Sequence, residues 1–203
     1  MWNLEKFLEK KGYDLEKYRE ALKIIYNLPE ELNLKLKQAS YGMECFWGHV
    51  HPEDAAIFHL VCQRLGLELG KDYSFYYVHP EDHHMDLCLR PRLEYVREVF
   101  DDLMSEISKH QAAMFYLQMF DIVEPTKKQL ETAYKIHEFE LKPCEKCRGK
   151  FGKKVRNVFD ALISAIAVMP STISYETLEK YKIKVKVKYG CGHVKEKIFD
   201  LSP

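Results

Sequence analysis

Two pairs of metal-ligating residues stand in short turns of the sequence. Cys144 and Cys147 are separated by two residues in KPCEKCRGKF, and Cys191 and His193 by one residue in YGCGHV. Each short spacing forms a tight turn in which both side chains can point to one side, and two such turns supply the four ligands of a tetrahedral ion. The sequence therefore predicts that the two stretches meet and share one metal ion.

A set of three sulfurs and one imidazole nitrogen leaves no open coordination position, so we expect a structural zinc ion that does not activate water. Gly149, Gly190 and Gly192 stand where tight turns need them. Two alternatives stay open from the sequence alone: an iron–sulfur cluster held by the same ligands, and free thiols in turns that never meet. The turns are similar to those of zinc ribbons and zinc knuckles, and this similarity covers only the last third of the chain.

Histidines form a second candidate site, around two copies of the tetrapeptide HPED at 51–54 and 79–82. Each copy follows a predicted strand. If the two strands and the helix between them form a right-handed parallel crossover, both strands end at the same sheet edge, where ligands prefer to bind. Imidazoles and carboxylates at such an edge can bind a catalytic metal or act as acid and base. The candidate catalytic residues are His49, His51, His79, His83, His84 and Asp86, with Cys45 and Cys88 close by.

A simpler alternative for the same residues involves no chemistry. His-Pro-Glu-Asp is a good starter of a turn or helix, because proline suits the first helical position and acidic residues suit the first turn. Its histidines would then be ordinary surface residues.

The formal net charge of zero conceals an uneven distribution. Residues 142–203 contain 14 Lys and Arg against 6 Asp and Glu, a net charge of +8, and residues 1–141 therefore have −8. The alternation in KIKVKVK at 182–188 places its lysines on one face of a strand, which favours contact with phosphates. The candidate nucleic-acid-binding residues are Lys150, Lys153, Lys154, Arg156, Lys182, Lys184, Lys186 and Lys188.

Two alternatives to phosphate contact account for the same charge pattern, and both stay open. An edge strand can use lysines to prevent edge-to-edge aggregation. Alternatively, the acidic and basic halves simply attract each other.

The hydrophobic pattern positions these residues in an α+β fold with two domains, an acidic domain at 1–125 and a basic domain at 126–203. In the first domain, apolar residues at helical spacing predict a helical hairpin before Pro29. The order strand, helix, strand, strand, helix follows, with a strand pattern that starts at about Lys35 in the alternating LKLKQ. Pro52 and Pro91 stand at the starts of the two later helices.

The second domain is predicted to be a zinc-stapled module of helices and a β-hairpin. A capping box formed by Thr126 and Gln129 opens its first helix. Further helices are predicted at 155–168 and 174–181, followed by a hairpin turned at GCGH. This order resembles that of a winged helix, which would place Tyr175, Lys180 and Lys182 at a nucleic-acid duplex.

Composition favours an intracellular, cytoplasmic protein without a membrane partner. A hydrophobic fraction of 46% and a charged fraction of 31% are ordinary for a globular protein. The longest apolar stretch, at 161–169, is too short to span a bilayer, and the first residues lack the apolar run of a secretory signal.

The sequence thus favours a zinc-containing nucleic-acid-binding or regulatory accessory protein. An enzyme is less favoured, because the sequence has no Gly-rich phosphate loop, nucleophile-base motif or His-Glu-x-x-His run. One alternative is a metal-dependent hydrolase or nuclease that uses the histidines of 49–86. Another is a protein-interaction module whose acidic domain binds a basic partner.

Overall fold

The computed structural model describes residues 3–79, 81, 83–147 and 165–203. Within these residues the fold is α+β, as predicted, with two antiparallel sheets of three strands each. The helices are α1 (Leu4–Lys10), α2 (Leu15–Tyr26), α3 (Glu30–Ala39), α4 (Pro52–Arg64), α5 (Glu94–Gln118) and α6 (Lys127–Leu141), with a 3₁₀ turn at Pro91–Leu93. The strands are β1 (Glu44–Val50), β2 (Tyr73–His79), β3 (His84–Leu89), β4 (Pro170–Glu179), β5 (Lys182–Tyr189) and β6 (Val194–Asp200).

The chain forms two compact units whose boundary falls within α5, between Ile107 and Ser108. The unit Asn3–Ile107 contains the sheet of β1, β2 and β3, and the unit that starts at Ser108 contains the sheet of β4, β5 and β6. The sequence-based division into domains 1–125 and 126–203 stays a prediction.

In the first unit, β3 lies between β1 and β2 and runs antiparallel to both. β1 and β2 therefore run in the same direction, and both end at the sheet edge where β3 begins. The predicted order of strand, helix, strand, strand, helix is confirmed by β1, α4, β2, β3 and α5. This topology brings the residues after both predicted strands to one edge.

The core of the first unit surrounds α4, which packs against α2 and β3. Phe58 of this helix is fully buried, and its ring meets those of Phe46, Tyr73 and Phe100 edge-on at centroid distances of 5.4–5.5 Å. Burying an aromatic side chain of this size contributes about 2–3 kcal/mol, and edge-on pairs add to it. The sheet that carries the histidines is thus supported by a closely packed aromatic core.

The strand predicted to begin at about Lys35 is wrong over its first part, because Glu30–Ala39 is helical. The alternation in LKLKQ is only five residues long, and Leu, Lys, Gln, Glu and Ala are all good helix formers. Pro29 occupies the N-cap, acidic residues fill the first turn and Lys37 lies in the last turn, which suits the helix dipole. The strand itself begins only at Glu44.

In the second unit, β5 is the central strand between β4 and β6. Ile183, Val185 and Val187 are fully buried on one face of β5, in a hydrophobic cluster that includes Ile136 of α6. The predicted alternation of this strand is therefore confirmed, and so is the capping box at Thr126.

The helix predicted at 174–181 is wrong, because β4 spans Pro170–Glu179. Ile173 and Tyr175 alternate with exposed residues and pair with Val187 and Val185 of β5, so strand pairing and half-burial outweigh the weak capping signal of Ser174. A winged helix needs a helix here, and that expectation fails with it. The helix predicted at 155–168 lies largely outside the described residues.

Candidate metal centre

Cys144 and Cys147 follow the end of α6 and are both buried. The Cys147 amide donates a hydrogen bond to the Cys144 carbonyl at 3.2 Å, which closes a tight turn. The Cys144 amide donates to the Val168 carbonyl at 2.8 Å. This turn is therefore fixed both by the helix before it and by the segment that leads into β4.

Cys191 and His193 lie in the turn between β5 and β6. The Tyr189 amide donates to the His193 carbonyl, and the Gly192 amide donates to the Tyr189 carbonyl, both at 2.9 Å. Gly192 has a φ of +83°, a left-handed conformation that glycine adopts without steric cost. Because the turn is sharp, Cys191 and His193, which are separated by a single residue, can direct their donor atoms to one point.

The segment 166–169 joins the two turns. It accepts the Cys144 amide at the Val168 carbonyl and, at 2.7 Å, the Cys191 amide at the Ala167 carbonyl. Gly190 approaches this segment so closely that a Cβ added there would lie 2.8 Å from the Ile166 carbonyl oxygen. Backbone hydrogen bonds to one short segment therefore bring together ligands that are about 45 residues apart in the sequence.

The four donor atoms all lie within 4.8 Å of one another. His193 Nδ1 is 3.2 Å from the Sγ of Cys147, 3.4 Å from that of Cys191 and 3.8 Å from that of Cys144. For bonds of about 2.3 Å to sulfur and about 2.0 Å to nitrogen, a tetrahedral ion holds sulfur and nitrogen about 3.5 Å apart. The Cys₃His group is therefore positioned to bind a metal ion, and the alternative in which the two turns never meet is excluded.

The thiols of this group differ in acidity. Burial and, after it, interactions with Cys191 and Cys144 together raise the pKa of the Cys147 thiol to about 11. Burial also acts to raise the pKa of Cys191, but hydrogen bonds with the backbone and ring of His193 outweigh it and lower that pKa to about 7. Cys191 therefore becomes a thiolate at lower pH than Cys147, and a bound cation displaces the remaining thiol protons.

The lysines of β5 lie on the face of the sheet opposite its core, as predicted. Two of them, however, form ion pairs with acidic residues of β4. Lys184 forms an ion pair of 2.5 Å with Glu176, and Lys182 one of 2.9 Å with Glu179. Lys182 also faces Asp200 across the sheet. Because β5 is the central strand, the interpretation of these lysines as protection of a sheet edge is wrong.

The lysines nearer the metal turn have a different environment. Among the described residues, neither Lys186 nor Lys188 has an acidic group within ion-pair distance, and both are exposed. Lys186 pairs in register with Glu196 of β6, whereas Lys188 pairs with Thr172 and Val194, neither of which is charged. The predicted nucleic-acid-binding residues Lys150, Lys153, Lys154 and Arg156 lie outside the described residues.

Four of the histidines named from the sequence converge at the edge of the first sheet. The ring centroids of His49 and His84 are 5.7 Å apart, those of His51 and His84 also 5.7 Å, and those of His49 and His79 6.4 Å. His83 instead directs its ring at Tyr77, at 6.2 Å. A catalytic role for these residues stays a prediction.

The carboxylate of Asp86 lies beside this group. It accepts hydrogen bonds from the backbone amide of His49 at 3.4 Å and from the Tyr76 hydroxyl at 3.3 Å. The bond from the His49 amide ties the end of β1 to this carboxylate, and the bond from the Tyr76 hydroxyl ties the carboxylate to β2.

A disulfide bond joins Cys45 and Cys88, which the sequence alone did not predict. The two residues are direct partners in the register of β1 and β3, which places their sulfurs in bonding distance. One signal of it is present in the spacing: Cys45 precedes His49 by four residues, and Cys88 follows His84 by four. In a regular antiparallel pair that sets these two histidines opposite each other, the two cysteines are also opposite. The register shifts of β1 between Cys45 and Val50 displace this alignment but leave His49 and His84 neighbours.

No family model matches the chain, and neither the curated proteins nor the solved structures provide a significant match. Among the helices that the structure describes, none combines the length and the apolar character needed to cross a membrane. Function is therefore inferred from the arrangement of the chain's own residues.

Proposed function

We propose that this protein is a zinc-containing accessory protein that binds nucleic acid, in which the metal ion holds the C-terminal unit together and lysines beside the metal turn contact phosphates. The observation that carries the proposal is the convergence of the four Cys₃His donors. Cys144 and Cys147 come from one turn, Cys191 and His193 from another, and all four donors lie within 4.8 Å.

Zinc is the ion that suits this donor set best. Three thiolates and one imidazole form a closed tetrahedral shell, and zinc accepts that geometry without a preference for any other. A closed shell leaves no place for a reacting water, so the ion stabilises the fold. The benefit is large for a unit of fewer than 100 residues, because such a unit buries limited apolar surface.

The charge distribution supports phosphate as the ligand of the unit. Residues 142–203 have a net charge of +8. Acidic neighbours offset Lys182 and Lys184, whereas Lys186 and Lys188 lie closer to the metal turn, without an ion pair among the described residues. When exposed lysines of this kind contact phosphates, they release counterions that had been bound to the nucleic acid, and this release provides affinity that does not depend on sequence.

The test is a salt titration of binding to duplex and single-stranded DNA and RNA, with two matched double variants. Lys186→Gln/Lys188→Gln removes two contacts near the metal turn. Lys182→Gln/Lys184→Gln removes the same charge from the ion-paired end of the strand. We expect the first variant to reduce the slope of log K against log salt by about 2, because each lost phosphate contact removes about 0.9. We expect the second variant to leave the slope unchanged.

Two results would contradict the proposal. Failure of the wild-type protein to bind any of these nucleic acids at low salt removes nucleic acid as the partner. Equal effects of the two double variants show that only the overall charge matters, and that the lysines beside the metal turn have no special role.

A further inference from the structure

The histidine group at the edge of the first sheet is a second place where donor atoms of one kind converge. It consists of His49 at the end of β1, His51 just before α4, His79 at the end of β2 and His84 at the start of β3. His84 is half-buried and the other three are exposed. These residues belong to the first unit and share no residue with the Cys₃His group of the second.

Irregular strand pairing places these histidines together. Between Trp47 and Val50, β1 has one more residue than the facing stretch of β3, and His49 in this bulge has a φ of +57°. A similar extra residue lies between Tyr77 and His79 of β2. Bulges redirect side chains at sheet ends, and a left-handed conformation in a residue other than glycine carries a steric cost. Both strands beside β3 thus depart from regular pairing where their histidines meet.

The separation of the rings fits a shared ion. Two imidazoles bound at about 2.0–2.1 Å to one tetrahedral ion have ring centroids about 5.3 Å apart. The two pairs that include His84, with His49 and with His51, are each 5.7 Å apart, and His49 and His79 are 6.4 Å apart. His84 is therefore the central member, since it lies within about 0.4 Å of this ideal spacing from two partners.

Coordination by these histidines requires their rings to rotate. Among the described residues, the Cys₃His group alone has its donor atoms all within 4.8 Å of one another, so the imidazole nitrogens are not yet gathered as tightly. Exposed side chains change rotamer in picoseconds to nanoseconds, so this rearrangement is fast. A site that needs such a rearrangement binds its ion more weakly than a preformed site does, and the bound ion exchanges with solution.

We propose that His49 and His84, completed by His51 and His79, bind an exchangeable divalent transition-metal ion of the kind that prefers imidazole, such as Zn²⁺, Ni²⁺ or Cu²⁺. The half-buried Asp86 lies beside this site and accepts a hydrogen bond from the His49 amide. A carboxylate there attracts the cation and stabilises the bulge that presents His49. The site is accessible to solvent, because three of its four histidines are exposed.

The test uses Co²⁺ as the probe and the whole protein, purified without thiol reductant. A mild chelator first removes weakly held metal and leaves the tightly held metal in place. We expect one further equivalent of Co²⁺ to bind, with the visible bands of a nitrogen- and oxygen-ligated ion. The ultraviolet charge-transfer band of a thiolate ligand should be absent from this equivalent, which separates it from the Cys₃His group. Zn²⁺ should displace it.

Two variants make the test specific. His49→Asn/His84→Asn removes the central imidazole of His84 and that of its neighbour His49, and asparagine tolerates the left-handed conformation of position 49. It should lower the affinity for the added Co²⁺ at least tenfold while the tightly held metal remains. His83→Asn is the matched control, because His83 also has a positive φ, of +52°, and its ring faces Tyr77. This variant should bind Co²⁺ as the wild type does.

Three outcomes would overturn the proposal. The first is a wild type that takes up no further equivalent of Co²⁺. The second is a His49→Asn/His84→Asn variant that retains the full affinity, and the third is a His83→Asn variant that loses as much as the double variant does. None of these bears on the Cys₃His group, so they leave the proposed function of the second unit unaffected.

Discussion

His193 is the residue on which the candidate metal centre converges. Its Nδ1 lies within 3.8 Å of the sulfurs of Cys144, Cys147 and Cys191. The residue types and their spacing are enough to predict this set from the sequence, because short spacings between ligands are local and independent of the rest of the fold. The sequence does not show that Cys191 is more acidic than Cys147, since that depends on burial and on hydrogen bonds formed only after folding.

His59 is a buried residue whose protonation should control the stability of the first unit. It is 7% exposed, and its Nδ1 lies 2.7 Å from the Tyr73 hydroxyl. Burial lowers its pKa from 6.5 to about 4. Because the folded state disfavours the charged ring, stability is complete above pH 6.5 and falls as the pH drops toward 4. The expected loss of unfolding free energy is about 3 kcal/mol.

Urea unfolding of the wild type and of His59→Gln between about pH 7 and pH 4 measures this effect. Glutamine can still hydrogen-bond to Tyr73 but does not titrate, so the variant should lose about 3 kcal/mol less over this range than the wild type. His83→Asn, a change of an exposed histidine outside the histidine group at the sheet edge, serves as the control and should retain the wild-type dependence. Parallel curves for the wild type and His59→Gln would refute the prediction.

At the scale of secondary structure, the segment 166–169 explains how the two ligand turns meet. It accepts one backbone amide from each turn, those of Cys144 and Cys191. This arrangement could not be predicted from the sequence, because a backbone hydrogen bond between distant segments leaves no mark on residue type. The α6 capping box and the alternation of β5 could be predicted, since both are local patterns.

Two incorrect element predictions have related causes. The five alternating residues of LKLKQ indicate a strand, although their types favour a helix, and Glu30–Ala39 is helical. Ser174 as a capping residue indicates a helix after it, although Ile173 and Tyr175 gain more from pairing with β5. In both cases a short local signal competes with a preference that only the surrounding packing decides.

The close approach of Gly190 to the segment 166–169 provides a test of that segment's role. A Cβ at position 190 would lie 2.8 Å from the Ile166 carbonyl oxygen and 3.1 Å from Ala167 Cα, so backbone would have to move. Gly190→Ala should therefore lower the affinity for metal at least tenfold in competition with a chelator. The physical reason is that the Cys191 turn can no longer dock on the segment that also fixes the Cys144 turn.

Gly192→Ala is the matched control for this substitution. Gly192 has open space around its Cα but a φ of +83°, so alanine there costs about 1 kcal/mol of backbone strain without displacing the segment 166–169. We expect a smaller loss of metal affinity than for Gly190→Ala. If Gly190→Ala binds metal as tightly as the wild type, the docking of the two turns on one segment is not what holds the centre together.

At the scale of the whole molecule, each of the two units contains its own group of side chains with donor atoms. The first unit combines a cross-strand disulfide, Cys45–Cys88, with a group of histidines at one sheet edge. The second combines the Cys₃His group with a sheet whose central strand carries Lys186 and Lys188, exposed and without an ion pair among the described residues, at the end nearer to that group. The charge asymmetry and the two ligand clusters are visible in the sequence, but the disulfide depends on the strand order β1-β3-β2, which no local pattern specifies.

The central claim is that one tightly bound zinc ion joins the turns of the second unit, and metal analysis of the purified protein tests it most directly. After weakly held metal has been removed with a mild chelator, we expect one zinc ion per chain. Cys144→Ser/Cys191→Ser should lose it, and Cys62→Ala, which removes a buried free cysteine of α4, should retain it. A wild-type chain without metal, or a Cys144→Ser/Cys191→Ser variant with an undiminished zinc content, would contradict the account.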